Sequence, residues 1–192
     1  WVMSNHDVIR HATRYALPQV PTGEYHRLAL DWLLRDGTTF EENRELGTKR
    51  ARAAIMMEMA LPGSAYVYQG EELGLFEVAD IPWDELEDPS AWRTSRSAST
   101  KGRDGCRVPL PWVAADAPKL DDPDDEFGHE GSFGFSPADA TAEPHLPQPA
   151  WYKDFAVDVE SADPDSMLNL YRRVLALRHD MQTTDLSVEW LP

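Results

Sequence analysis

The chain has 192 residues, with 18 Lys plus Arg against 34 Asp plus Glu, a net charge of −16 and a pI near 4.6. Hydrophobic residues make up 42%, enough for a folded core and too many for a disordered chain. The acidity and the lack of a basic cluster exclude a nucleic-acid surface, and no run of 18 apolar residues is present to make a membrane-spanning helix.

The chain opens at Trp1 rather than methionine, with no signal peptide ahead of the first ordered-looking segment. It is expected to be processed or to be a piece of something longer. Residues 1–4 form a short apolar run that reads as a buried strand, with Asn5, His6 and Asp7 at its C-terminal end. Residues 25–34 are amphipathic, and Asp36-Gly37 marks a turn. Residues 46–61 read as a helix whose apolar stripe is Ala53, Met56, Met57, Ala60 and Leu61, stopped by Pro62-Gly63. Residues 64–69 (SAYVYQ) are rich in β-formers and read as a second buried strand, followed by Gly70, Glu71 and Glu72. Strand, helix, strand in this order implies a right-handed crossover and a parallel pair.

Residues 76–163 read as one long Pro-rich, acidic loop region, holding most of the chain's 15 prolines. Five acids crowd residues 121–126, but without the alternation, central glycine and distal glutamate of an EF-hand, so a solvated acidic loop is expected. A last helix is expected from an N-cap at Asp163, with Pro164 at its first position, to about His179. Its face is Met167, Leu168, Tyr171, Val174, Leu175 and Arg178. The apolar tail at 186–192 begins an element that the chain does not finish. Two strands cannot close a parallel sheet, so the whole reads as the last quarter of a larger α/β fold.

Polar groups gather at the C-terminal ends of both strand segments, where parallel α/β folds place their ligand sites. A carboxylate beside a histidine, as in His6-Asp7, suits hydroxyl binding and stabilisation of a cation; taken alone, the pair also suits a loop or capping role. Arg103 and Arg107, four apart around Asp104, can fix carboxylates or hydroxyls by forked hydrogen bonds, or form a surface ion pair worth little. The lone Cys106 cannot form an internal disulfide, no Cys/His spacing suggests zinc, and a reducing cytoplasm fits.

Four motifs together carry a resemblance: SNHD at 4–7, GSAYVYQGEELGL at 63–75, GRDGCRVPLPW at 102–112 and SMLNLYRRVLALR at 166–178. In order and spacing, across nearly the whole chain, they resemble the α-glucosidases and oligo-1,6-glucosidases of the α-amylase superfamily (glycoside hydrolase family 13). The resemblance implies an α/β fold that is the C-terminal portion of a (β/α)8 TIM barrel. Strands seven and eight with their helices would occupy 1–183, 76–163 would be a long inserted loop, and 184–192 would start a C-terminal β domain. It implies that Asp7 is the catalytic carboxylate that stabilises the transition state, and that His6, Arg103 and Arg10 bind substrate, Arg10 near the site entrance. Glu71 and Glu72 would support the site structurally. The substrate would be an α-glucoside oligosaccharide and the partner the remainder of the chain's own barrel, with no organic cofactor and calcium only in upstream segments.

Where the family pattern reads RDNAR followed by T-P-M-Q-W, this chain has Gly105 and Cys106 for the asparagine and alanine, and Leu110-Pro111 for the methionine and glutamine. The common PWLP appears as Pro144-His145-Leu146-Pro147. These departures touch the outer substrate contacts. A retaining glycosidase needs a nucleophile and a general acid about 5–5.5 Å apart, and in this family both lie on strands four and five, upstream of the segment. An Asp7–Glu71 dyad is not expected to replace them. The resemblance equally covers trehalose synthases, sucrose isomerases and transglucosidases, an inactive truncated product, and non-catalytic transporter heavy chains. Against the last stands the intact Asn5-His6-Asp7.

Overall fold

The computed structural model describes residues 1–92 and 100–181. Six α-helices fall in that range: α1 (His11–Ala16), α2 (Thr22–Leu34), α3 (Arg44–Ala60), α4 (Pro89–Trp92), α5 (Val157–Ala162) and α6 (Met167–Met181). The two β-rich segments pair in parallel, as expected, through a bridge between Val2 and Tyr66, with the Tyr66 N–H donating to the Trp1 carbonyl at 2.9 Å. They are not buried. Trp1, Val2, Tyr66 and Val67 are all exposed, because this single bridge has no neighbouring strand to cover it among the described residues.

The helix expected at 46–61 begins at Arg44, because the Asn43 side chain accepts the Leu46 N–H at 3.0 Å and caps the first turn. Its buried face is not the expected one. Ala51, Ile55 and Met59 point inward, while Ala53, Met56, Met57 and Ala60 are exposed. Two apolar stripes run along this helix, and Gly47 decides between them. A Cβ there would stand 2.7 Å from both the Ala12 carbonyl oxygen and the Ala16 Cβ, so only glycine lets α1 lie this close. α1 and α3 then join Phe76 and α6 in one core built on Ala12, Ala16, Ala51, Ile55, Met59, Met167, Leu170 and Tyr171.

The amphipathic stretch at 25–34 lies within α2, whose Ala29, Trp32 and Leu33 are buried, Trp32 and Leu33 packing with Leu17 and Ala79. The turn at Asp36-Gly37 forms, and Gly37 takes φ +76° against the Trp32 ring. The last helix starts later than its proline suggested. Asp163 instead turns back to accept the Asp165 N–H at 2.9 Å, and Ser166 Oγ accepts the Asn169 N–H at 3.1 Å as the working cap. Leu170 is buried here, whereas Leu175 is exposed. Arg178, expected on the packed face, donates to the Met59 and Leu61 carbonyls at 2.8 and 2.7 Å and pins α6 to the end of α3.

The long region from 76 to 163 is not merely loop. Leu73, Leu75, Val78, Ile81, Leu86, Val108, Phe133, Leu146 and Tyr152 form a second core within and around it. The acids at 121–126 are used locally: Asp122 Oδ1 accepts the Asp124 N–H and Asp125 Oδ2 the Asp122 N–H, each at 3.0 Å, in an exposed turn. The expected start of a C-terminal domain at 184–192 lies outside the described residues.

The Gly47 contact makes a signed prediction. In an open helix, Gly→Ala gains up to about 1 kcal/mol. Gly47→Ala should instead destabilise the protein by about 1–3 kcal/mol, since the new methyl meets backbone that cannot swing away. A urea melt of the two proteins checks it, and a raised midpoint for the variant would contradict the close packing of α1 on α3.

Candidate functional site

The chain turns sharply after the bridge. Asn5 Oδ1 accepts the Asp7 N–H at 2.8 Å, an Asx turn that lifts His6 and Asp7 into solvent, their side chains 67% and 49% exposed. His6 Nε2 lies 3.4 Å from Asp7 Oδ2. Across 96 residues of chain, Arg103 reaches the same carboxylate, its Nη1 donating to Asp7 Oδ1 at 2.6 Å. Arg107 completes the group, donating from Nε to the His6 carbonyl at 2.9 Å and lying with Nη2 3.4 Å from Asp7 Oδ1. The structure thus brings together three of the four residues singled out from the sequence, His6, Asp7 and Arg103.

Arg10 departs from expectation. It is not at an entrance; its side chain is 1% exposed, with Nη1 donating to the Gln69 carbonyl and Nη2 to the Cys106 carbonyl, each at 2.9 Å. The reason is local. The chain enters α1 directly after Arg10, the Arg10 N–H is held by buried Glu77 at 2.8 Å, and the side chain can only run inward between two backbone segments. Glu71, expected as support, is buried, accepts the Tyr68 N–H at 3.2 Å and lies 3.4 Å from His11 Nδ1.

Two residues of the site drew no attention in the sequence. Asp88 has a fully buried carboxylate that accepts Arg103 Nε at 2.6 Å, Arg103 Nη2 at 3.1 Å and the Arg103 backbone N–H at 3.0 Å. This bidentate pair holds the Asp88 carboxyl well below the usual carboxylate range and the Arg103 guanidinium above its own. The clasp is reciprocal, since Asp104 Oδ2 accepts the Glu87 and Asp88 N–H groups at 2.7 Å. Its one sequence signal was Asp88 ahead of Pro89, the N-cap arrangement of α4, hidden in an acidic run. The second missed residue is Glu77. Burial pushes its carboxyl up to about 7, and Gly105 must lack a side chain because a Cβ there would sit 2.7 Å from Glu77 Oε1. Burial also pushes the Cys106 thiol up to about 12, which leaves it a thiol and a poor nucleophile at neutral pH.

Beside Asp7 and Arg103 opens a cavity of about 530 Å³, within the range of small-molecule sites. Ile9, Ala29, Leu30 and Leu33 make its apolar wall, and Arg14, Tyr25 and Glu77 face it from the polar side. A carboxylate fixed between two guanidiniums at the mouth of such a cavity can accept from ligand hydroxyls and stabilise positive charge developing next to it. Among the described residues, no three His, Cys, Asp or Glu side chains are placed to hold a metal ion.

Comparison with known proteins returns one family. The family described as the alpha amylase catalytic domain matches residues 33–185. A probable alpha-glucosidase of Rhizobium meliloti is 34% identical over 178 residues, 93% of this chain and 24% of its own. A glucan 1,6-alpha-glucosidase of Streptococcus pneumoniae is 26% identical over 152 residues, covering 72% of this chain and 25% of its own. Among solved structures, an alpha-glucosyl transfer enzyme, XgtA, superposes with a TM-score of 0.63 at 31% identity over 94% of this chain and 25% of its own. A trehalulose synthase, MutB, at 17% identity and a TM-score of 0.61 over 94% of this chain and 28% of its own, shares the fold. The chain spans about a quarter of the length of these relatives.

Glu77 generates a pH prediction. Its folded-state pKa, about 7, lies above the ordinary 4.5. Its stabilising contribution is therefore complete below about pH 4.5 and is lost as pH rises through 7, amounting to about 3 kcal/mol at most. Glu77→Gln removes the titration. The stability of the unsubstituted protein relative to this variant should fall between pH 5 and pH 8, as read by denaturant melts. A difference independent of pH would contradict a buried, titrating Glu77.

Proposed function

The chain belongs to the alpha-amylase catalytic-domain family, and from that membership we propose that it supplies strands seven and eight of a (β/α)8 barrel that hydrolyses α-glucosides from their non-reducing ends. In this reading residues 1–183 complete the barrel, 76–163 form its insert, and 184–192 lead into a C-terminal β domain. The rest of the barrel contributes the nucleophile and the general acid. One carboxylate attacks the anomeric carbon while the acid protonates the leaving oxygen, and water then resolves the glycosyl-enzyme with retention. Asp7 holds sugar hydroxyls and stabilises the oxocarbenium-like transition state, and His6 and Arg103 hold the same glucose.

The observation that carries this reading is the meeting of Arg103 with Asp7 at 2.6 Å, beside His6 and at the mouth of a sugar-sized cavity. The names of the alpha-glucosidase relatives support it. The substrate class is an α-glucoside oligosaccharide, the partner is the remainder of the barrel, the reaction needs no organic cofactor, and any calcium belongs to upstream segments. No described helix is long and apolar enough to cross a membrane. The proposed location, the cytoplasm, rests on the single cysteine, Cys106, which suits a reducing compartment. Without the upstream carboxylates the segment by itself is inactive. A second reading, transfer of the glucosyl group to an acceptor instead of hydrolysis, is favoured by the likeness to the alpha-glucosyl transfer enzyme. The ratio of free glucose to transfer product separates the two.

Asp7→Asn in the full-length protein tests the role of the carboxylate. Its charge matters most when positive charge develops at the anomeric carbon, so kcat for p-nitrophenyl α-D-glucopyranoside should fall by about 10²–10³ while KM changes less. A variant with near-normal kcat would contradict the assignment.

A further inference from the structure

Asp7, Arg103, Asp88 and Arg107 close into a ring of alternating sign. Asp7 Oδ1 lies 2.6 Å from Arg103 Nη1 and 3.4 Å from Arg107 Nη2; Asp88 Oδ2 lies 2.6 Å from Arg103 Nε and 3.7 Å from Arg107 Nη1. We infer that Asp88 is a positioning residue of this site, holding both guanidiniums and balancing their charge so that the Asp7 carboxylate remains an effective anion toward the substrate. The inference rests on the α-glucosidase reading above.

The geometry supports it in three steps. Arg103 is long and flexible, and at 41% exposure its direction is fixed, among the described residues, by its ion pairs with Asp88 and Asp7. Asp88 occupies its Nε–Nη2 edge in the bidentate fork that carboxylate and guanidinium favour, which leaves Nη1 as the group directed at Asp7. Asp88 is itself immobilised. Its side chain is fully buried, it accepts the Ser90 N–H at 2.9 Å, and Gly102, at φ +86°, brings its backbone so near that a Cβ would stand 3.0 Å from the Asp88 Cβ. The charges then decide the consequence. With Asp88 the ring of two anions and two cations is neutral. Without it Asp7 lies between two cations whose field opposes a third positive charge at the anomeric carbon. The cost of losing Asp88 therefore falls on the transition state more than on the bound ground state.

The test is a double-mutant cycle in the full-length protein, measured with p-nitrophenyl α-D-glucopyranoside. Asp88→Asn should lower kcat by about 10- to 100-fold, with KM changing less than about threefold. In an Arg103→Met background, where one cation is already gone, the same substitution should lower kcat less than about threefold. Asp88→Glu, which keeps the charge at a longer reach, should recover part of the loss. If Asp88→Asn does not fold, Asp88→Glu taken through the same cycle should still lower kcat only in the protein that retains Arg103. Equal losses in both backgrounds would make Asp88 a structural residue and overturn the inference, as would an unchanged kcat. No turnover by the unsubstituted protein would overturn the α-glucosidase reading itself, and the inference with it.

Discussion

A buried guanidinium holds the site together. Arg10 has its backbone N–H on Glu77, one terminal nitrogen on the Gln69 carbonyl and the other on the Cys106 carbonyl. The guanidinium thereby joins three segments that lie far apart in the sequence. Gln69 closes the second β-rich segment, Cys106 lies in the turn that carries Arg103 and Arg107, and Arg10 itself follows directly on the segment that carries His6 and Asp7. A charge this deep is tolerated because its two terminal nitrogens find backbone carbonyls and the buried Glu77 carboxyl lies beside it on the Arg10 backbone N–H. The surrounding residues are shaped to admit it. Gly70, at φ +89°, has no room for a Cβ, which would stand 2.7 Å from Arg10 Nη1, and the guanidinium packs over the Tyr68 ring at 5.3 Å. The meeting of Asp7 with Arg103 at the surface follows from this tie beneath it.

Two further ties extend the frame. The reciprocal clasp of Asp88 with the Arg103 backbone and of Asp104 with the Glu87 and Asp88 backbone ties residues 87–88 to residues 103–104 within the long region from 76 to 163. Below it, Thr13 Oγ1 accepts the Glu77 N–H at 2.8 Å and donates to Glu42 at 2.5 Å, joining α1 to the start of that region and to the segment ahead of α3. The site residues sit on turns, but each turn is fastened at its base to buried backbone. A half-exposed carboxylate on an unsupported loop would sample many positions; here its partner guanidinium is fixed by two carboxylates.

The sequence made the polar site legible and left its foundations unread. SNHD stands out because amide and charged residues cluster at the end of a β-rich segment, where a ligand is reached, and GRDGCR because two arginines flank an aspartate. Arg10 was set near the entrance by the family resemblance alone, and an arginine near such a motif shows no sign in the sequence that its terminal donors will be consumed by backbone carbonyls. Asp88 was hidden in an acidic, Pro-rich run where most carboxylates are solvated. The α3 helix shows a different limit. The larger of its two apolar stripes faces outward, and the face that packs is the one holding Gly47, a residue with no side chain to count. The parallel pairing of 1–4 with 64–69 was legible from β-propensity and order, yet burial was not, because burial depends on what lies beside the bridge.

The most direct measurement is a crystal structure of the full-length protein with glucose bound. Asp7, His6 and Arg103 should all lie within hydrogen-bond distance of one glucose, with Arg103 still gripped by Asp88 and Arg10 still buried on the Gln69 and Cys106 carbonyls. A glucose bound away from Asp7, or an Arg103 turned out to solvent in that complex, would contradict the picture of one pre-fastened sugar site.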